Sequence, residues 1–174
     1  PENSADRHEK TDRVPYKDWA KGGYCTLTPG DVTDNSYVYN WICQGEREHS
    51  WKVDEVDYDG HNATDLAIRM NEDRNREDFC VEVSQTCAGQ NLAVKTFREM
   101  LLQDRIVLEE SPLVLWCLQN AIEIQNNYGD IKLSKRHKDD TERIDPVAAG
   151  MNSLARLLVK KNGKSDLASA IARP

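Results

Sequence analysis

Two aspartates stand where side-chain chemistry has a rigid mount. Asp59 follows Tyr58 and precedes Gly60, at the end of the run WKVDEVDY (51–58), whose β-branched and aromatic content predicts a strand. Asp145 follows Ile144 and precedes Pro146, where apolar residues begin to recur at helical spacing. Carboxylates on a strand end and a helix start, far apart in sequence, are hard oxygen ligands of the kind Mg²⁺ and Mn²⁺ take. Two such ions about 4 Å apart activate a water and stabilise the leaving oxygen of a phosphodiester. Each residue also has a plainer reading. Asp before Gly closes a strand by turning, and Asp before Pro caps a helix and meets its positive dipole end. Spacing alone does not choose between them.

Other titratable residues offer less. The stretch KLSKRHKDDTER (132–143) has no apolar period and carries five Lys or Arg against three acids, so it reads as a solvated loop. Within it, Lys135, Arg136 and Lys138 are candidates to neutralise nucleic-acid phosphates, which positions a backbone without reading sequence. A solvated charge run is the equal alternative. His137 in that loop and His61, two residues after Asp59, are candidate proton carriers or ligands, although helix-start polarity explains His61 equally well. Asp54, Glu55 and Asp57 crowd the strand that ends in Asp59. One of them could supplement a metal shell, but they are expected to face solvent. Trp19, Trp41, Trp51 and Trp116 fall among apolar neighbours and are expected in the core rather than as stacking platforms for bases.

The elements that must position these residues fit one domain. The 174 residues suffice for a single core, with 1–13 a flexible lead, 14–160 the folded part and 161–174 a flexible tail. No apolar run approaches the roughly 18 residues that span a bilayer. A net charge of −7 argues against coating nucleic acid by bulk electrostatics, and leaves room for a local basic patch. The five cysteines form no C-x2-C pair and read as reduced, buried thiols. There is no G-x4-G-K phosphate loop, which leaves a small-molecule α/β enzyme with little support.

Along the chain, YCTLT (24–28) predicts a short strand, and 34–44 a helix whose Tyr37, Val38, Trp41 and Ile42 form a core face. Strand 51–58 follows, then a helix through Ala63, Leu66, Ala67 and Met70, then strand 79–83. A helix over 91–103 and an extended piece at 105–109 come next. Ser111-Pro112 opens a helix, Ser as N-cap and Pro at its first position, that is apolar nearly all round and so expected to be well buried. Segments 121–125 and 130–133 suit a hairpin about the turn at 126–129, and the last helix starts at Asp145. This order predicts an α/β fold with at least part of its sheet parallel, and ligands gather at the carboxyl ends of such strands. Asp59 sits at one.

The segment VPYKDWAKGGYCTLTPGDVTD (14–34) resembles the Y-x2-W-x3-G, T-x-G and Asp run of the nuclease domain of tailed-phage terminase large subunits, the genome-packaging motors. Further matches come in order: Tyr58-Asp59 at a strand end, Gln85 after a strand, Ser111, Pro112, Trp116 and Asn120 on a helix, then Lys135 and RIDPVAAGMNSLARL (143–157). The resemblance implies an RNase H-like fold and a divalent-metal-dependent endonuclease that cuts concatemeric double-stranded DNA with two Mg²⁺ or Mn²⁺ ions. Asp59 would be the second acidic ligand and Asp145 the third. It also implies the portal and the small terminase subunit as partners of the complete protein, and the cytoplasm of an infected bacterium as its location. Leu108 stands where many members have a His. The first acidic ligand is expected upstream of Pro1, so the fold lacks its first strands, strand 51–58 has a bare edge open to self-association, and the isolated chain is expected to be a weak catalyst. The alternative is a docking module of the packaging motor that has lost catalysis.

Overall fold

A computed structural model of the chain describes residues 1–61, 63–136 and 141–162. Seven α-helices and four strands follow in order among them: α1 (Ala5–Asp12), α2 (Tyr16–Lys21), α3 (Asn35–Glu48), β1 (Val56–Tyr58), α4 (Thr64–Arg74), β2 (Cys80–Glu82), α5 (Cys87–Leu102), α6 (Pro112–Asn120), β3 (Ala121–Gln125), β4 (Ile131–Lys135) and α7 (Asp145–Asn162). β1 and β2 pair in parallel with Val56 opposite Cys80, as the alternation of strands and helices predicts. β3 and β4 form an antiparallel hairpin with Ala121 opposite Lys135 and Gln125 opposite Ile131. Its turn is closed by Asn126, whose Oδ1 accepts from the N–H of Tyr128 and of Asp130, both at 2.9 Å.

Strand alternation divides β1 between two packing partners. Val56 and Tyr58 lie against Met70, Phe79, Ala67 and Cys80, a core shared with Tyr39 and Ile42 of α3 and Leu66 of α4. Glu55 and Asp57 face the other way, toward α7. A second core joins α5, β4 and α7 through Val94, Ile131 and Met151, with Phe97, Leu133 and Leu154 packed around it. The short parallel pair is therefore covered on one face by α3 and α4 and on the other by α7. Caps are where residue types predict them: Asp34 accepts from Ser36 N–H, Thr86 from Gly89 N–H, and Ser111 from Val114 N–H with Pro112 behind it.

Several expectations change. Residues 1–13 form a 3₁₀ turn at Glu2–Ser4 and then α1, with Ala5 and Asp12 buried. Tyr24 to Thr28 is not a strand. Its end is tied instead to the N-terminal turn, since Glu2 N–H donates to Thr28 O at 2.8 Å. α3 turns Tyr39 and Ile42 inward and leaves Tyr37, Val38 and Trp41 exposed, so the core face was assigned one step out of phase. Trp41 and Trp51 are exposed and meet each other edge-on at 5.2 Å, whereas Trp19 and Trp116 are half-buried around Tyr16. α6 buries only Cys117 fully, and Leu115 is 58% exposed. β4 extends through Ser134 and Lys135, into the stretch expected as a loop, because Ile131 and Leu133 alternate into the second core. Residues 163–174, most of the expected tail, lie outside the described residues.

Candidate metal centre

β1 carries Asp59 one residue beyond its last paired position. Continuing the alternation puts it on the same side as Glu55 and Asp57, the side that α7 covers. Its Oδ1 accepts the His61 N–H at 3.1 Å, which is the turn-closing role of an Asp before Gly, and the residue is exposed. Asp59 lines a hollow of about 570 Å³ with Gly60, His61, Glu82, Val83, Ser84 and Gln85. Glu82 pairs with Tyr58 across the sheet and its carboxylate lies over Gly60, where an added Cβ would come within 2.5 Å of Oε1. Nothing in residue type or spacing singles out Glu82, because only strand pairing brings it into the lining of the same hollow as Asp59.

α7 runs against β1. Lys160 Nζ is 2.8 Å from Asp54 Oδ2, and Arg156 Nε is 2.8 Å from Glu55 Oε1, so residue numbers fall along the helix as they rise along the strand. From Glu55 to Asp59 the strand advances about 13 Å. About nine helical residues cover that length, which counts back from Arg156 to the first turn of α7. Asp145 opens that turn. The start of α7 is fixed by Asn120 Nδ2, which donates to Arg143 O at 3.2 Å, and by Arg143 Nε, which donates to the buried Asp12 at 3.2 Å.

Asp145 lines a separate hollow of about 470 Å³, among Asp12, Tyr16, Trp116, Cys117 and Arg143. Tyr16 Oη donates to Asp12 Oδ2 at 2.8 Å; burial first and then this bond hold the phenol well above its ordinary range. Burial, and then the charge of Asp145, push the Cys117 thiol up to about 11. The two aspartates open into different hollows. Among the described residues no three His, Cys, Asp or Glu side chains form a group arranged to hold a metal.

The acidic neighbours behave differently from expectation. Asp54 is exposed, but the Glu55 and Asp57 side chains are only 9% and 10% exposed. Arg156 grips both oxygens of Glu55, at 2.8 and 3.2 Å, and Lys160 adds a third contact at 2.8 Å. The guanidinium holds Glu55 down at about 2, against the opposing effect of burial. Burial first, and then the neighbouring Glu55, push Asp57 up to about 7. These residues bind α7 to β1 and do not point to solvent, a contact that only tertiary packing reveals.

The basic candidates divide. Lys135 is half-buried at the end of β4, and Arg136 is exposed with its guanidinium donating to Gln119 O at 2.9 Å. Lys138 and His137 lie outside the described residues. Lys132, not singled out from the sequence, is half-buried and its Nζ donates to Gln85 O at 2.9 Å, at the edge of the Asp59 hollow.

Comparison with known proteins agrees with this architecture. Residues 1–161 match the family described as terminase large subunit, endonuclease domain. The chain is 27% identical over 157 residues to the terminase large subunit of Enterobacteria phage HK97, a match covering 86% of the chain and 29% of that protein. The crystal structure of the HK97 large terminase superposes with a TM-score of 0.75 at 25% identity, covering 88% of this chain and 31% of that one. The chain therefore spans under a third of the relatives it matches, and its mixed helix and strand arrangement is the RNase H-like one.

Proposed function

Because the chain belongs to the terminase large subunit endonuclease-domain family, we propose that it is the DNA-cutting part of a phage genome-packaging enzyme and that Asp59 and Asp145 are carboxylate ligands of its divalent metal. The observation that supports this reading is the antiparallel run of α7 along β1, with Asp59 following the last residue of the strand and Asp145 opening the helix. The residues suit Mg²⁺ or Mn²⁺ in kind: both carboxylates are exposed, and such ions are held by one or two protein carboxylates together with waters and substrate phosphates. When bound, the ion would neutralise phosphate charge and make a coordinated water more acidic.

The chain's own residues then have definite tasks. Asp59 is oriented by the His61 N–H, which donates to its Oδ1 at 3.1 Å. Asp145 is seated by the Asn120 and Arg143 contacts at the head of α7, beside the positive end of the helix dipole. Lys135 and Arg136, at the end of the hairpin, contact DNA phosphates, with Lys138 in the same stretch of sequence. Double-stranded DNA is the substrate in this reading, and the portal and small terminase subunit are partners of the complete protein. β1 has a single strand partner among the described residues, so its second edge is where a further strand or a second copy would add. None of the described helices is long and apolar enough to cross a membrane.

A second reading, a docking module without catalysis, is favoured by one observation, the exposed Tyr37, Val38, Trp41 and Trp51 on and beside α3. Metal binding separates the two. Mn²⁺ titrated into the protein extended upstream to carry the first acidic ligand should bind at Asp59 and Asp145, and Asp59→Asn or Asp145→Asn should each weaken binding and abolish nicking of supercoiled plasmid. Nicking that survives either substitution rejects the metal-ligand assignment, and absence of Mn²⁺ binding favours the docking reading.

A further inference from the structure

Lys132 lies 47 positions from Gln85 in sequence, yet its ammonium rests on the Gln85 carbonyl oxygen at 2.9 Å. Both ends of this contact are held by side-chain amides. On the lysine side, Asn91 of α5 accepts from Ile131 N–H at 3.1 Å and donates to Asp130 at 3.0 Å, while Ile131 packs against Val94 and Met151. On the other side, the Gln85 side chain donates to Val83 O at 2.9 Å and to Asn152 Oδ1 at 3.0 Å, and accepts from Gln90 Nε2 at 2.7 Å. Asn152 and Gln90 are buried. The ammonium is therefore placed by α5, α7 and both sheets together.

An ammonium has three donors, and a half-buried one is normally met by a carboxylate. Here one neutral carbonyl is its sole acceptor among the described residues. Gln85 lines a hollow together with Asp59 and Glu82, whose negative charge repels a phosphodiester unless fixed positive charge accompanies it. A cation held on the backbone of a residue that lines such a hollow, with donors left over, supplies that charge without reorganisation.

We propose that Lys132 is a substrate-contacting residue of the Asp59 hollow, its ammonium donating to a non-bridging oxygen of a DNA phosphate while Gln85 O holds it in place. The proposal rests on the metal reading of Asp59, and it adds a residue outside the basic run at 135–138. The competing account is a purely structural tie between hairpin and sheet, which predicts a change in stability and none in phosphate binding.

The test uses a short DNA duplex with Ca²⁺, binding being followed by fluorescence anisotropy across a salt series. Lys132→Gln should lower affinity about tenfold, the loss of one charged hydrogen bond, and reduce the slope of log K against log salt by about 1. Lys132→Arg should keep the slope, and Mn²⁺ binding should be unchanged in both. In the unsubstituted protein, the duplex should protect Lys132 from acetylation as read by mass spectrometry, a measurement that stands even if Lys132→Gln does not fold. Unchanged slope in a folded Lys132→Gln, or no protection of Lys132, overturns the proposal. If those results come with loss of Mn²⁺ binding in Asp59→Asn, the metal reading survives alone; if Asp59→Asn binds Mn²⁺ normally, that reading falls and takes the proposal with it.

Discussion

Arg156 holds Glu55 in a two-pronged grip, Nε to Oε1 at 2.8 Å and Nη2 to Oε2 at 3.2 Å, and so fixes how far α7 slides along β1. A planar guanidinium that matches both carboxylate oxygens defines a register that a point charge cannot. Since Asp59 ends β1 and Asp145 opens α7, the grip sets their relative level from the far end of both elements. Arg156→Ala leaves a carboxylate that is nine-tenths buried with only Lys160 to balance it, and should cost about 3 kcal/mol in urea unfolding. Arg156→Lys keeps the charge and loses the fork, and should cost about half as much. Equal losses from the two substitutions would show that charge, not geometry, carries the contact.

The same carboxylate makes stability depend on acid. Glu55 is held down at about 2 in the folded chain, chiefly by Arg156. A group whose folded value is lowered contributes stability that is present above its unfolded value, near 4.5, and is lost as pH falls through the folded value. Asp57, pushed up to about 7, acts oppositely and favours the fold below that pH. Glu55→Gln should therefore be less stable than the unsubstituted protein at pH 6, with the gap closing as pH falls from 4.5 toward 2 in metal-free buffer. A gap that is constant over this range would mean that Glu55 does not titrate with folding.

The parts of this fold that were legible in the sequence are those set by local chemistry. Ser111-Pro112 and Asp34 announce helix starts by capping, and the apolar stripe from Ile144 through Leu158 gives α7 its buried face. The hairpin was legible from its Asn-rich turn, although β4 runs two residues further because Leu133 packs inward after charged Lys132. What was not legible depends on partners distant in sequence. Glu55 and Asp57 read as solvent-facing acids because nothing near them announces Arg156, 101 positions away from Glu55. Lys132 merged into a charged run because its acceptor is a backbone carbonyl, which leaves no mark on residue type. The α3 face was misjudged by one phase because Trp41 and Trp51 satisfy each other at the surface.

Trp51 also explains a glycine. Gly45 is buried within α3, and a Cβ there would stand 2.0 Å from Cε3 of the Trp51 ring. Replacing Gly by Ala inside a helix ordinarily gains up to about 1 kcal/mol, but here the indole must move, and Gly45→Ala should cost a net 1–2 kcal/mol, roughly the penalty of overpacking. Gly150 in α7 offers the control, since an added Cβ meets nothing within 4 Å. Gly150→Ala should raise stability by about 0.5–1 kcal/mol. Thermal unfolding of the two variants should shift in opposite directions, and a gain at Gly45 would refute the Trp51 packing.

Asn152 ties α7 to the end of β2, accepting from Gln85 Nε2 at 3.0 Å while itself only 6% exposed. Asn152→Ala removes that acceptor and leaves Val83 O as the partner of the Gln85 amide nitrogen, at a cost of about 1–3 kcal/mol for the group left incompletely satisfied. The loss should be local as well as global, because Gln85 is shared by α5 through Gln90 and by β4 through Lys132. Hydrogen exchange should therefore quicken at the amides around Val83 to Gln90 and at Lys132 before it quickens in the Met70 and Phe79 core, which packs on the opposite face of the sheet. Uniform quickening across both cores would show that Asn152 supports the fold as a whole and has no special hold on the hollow beside Asp59.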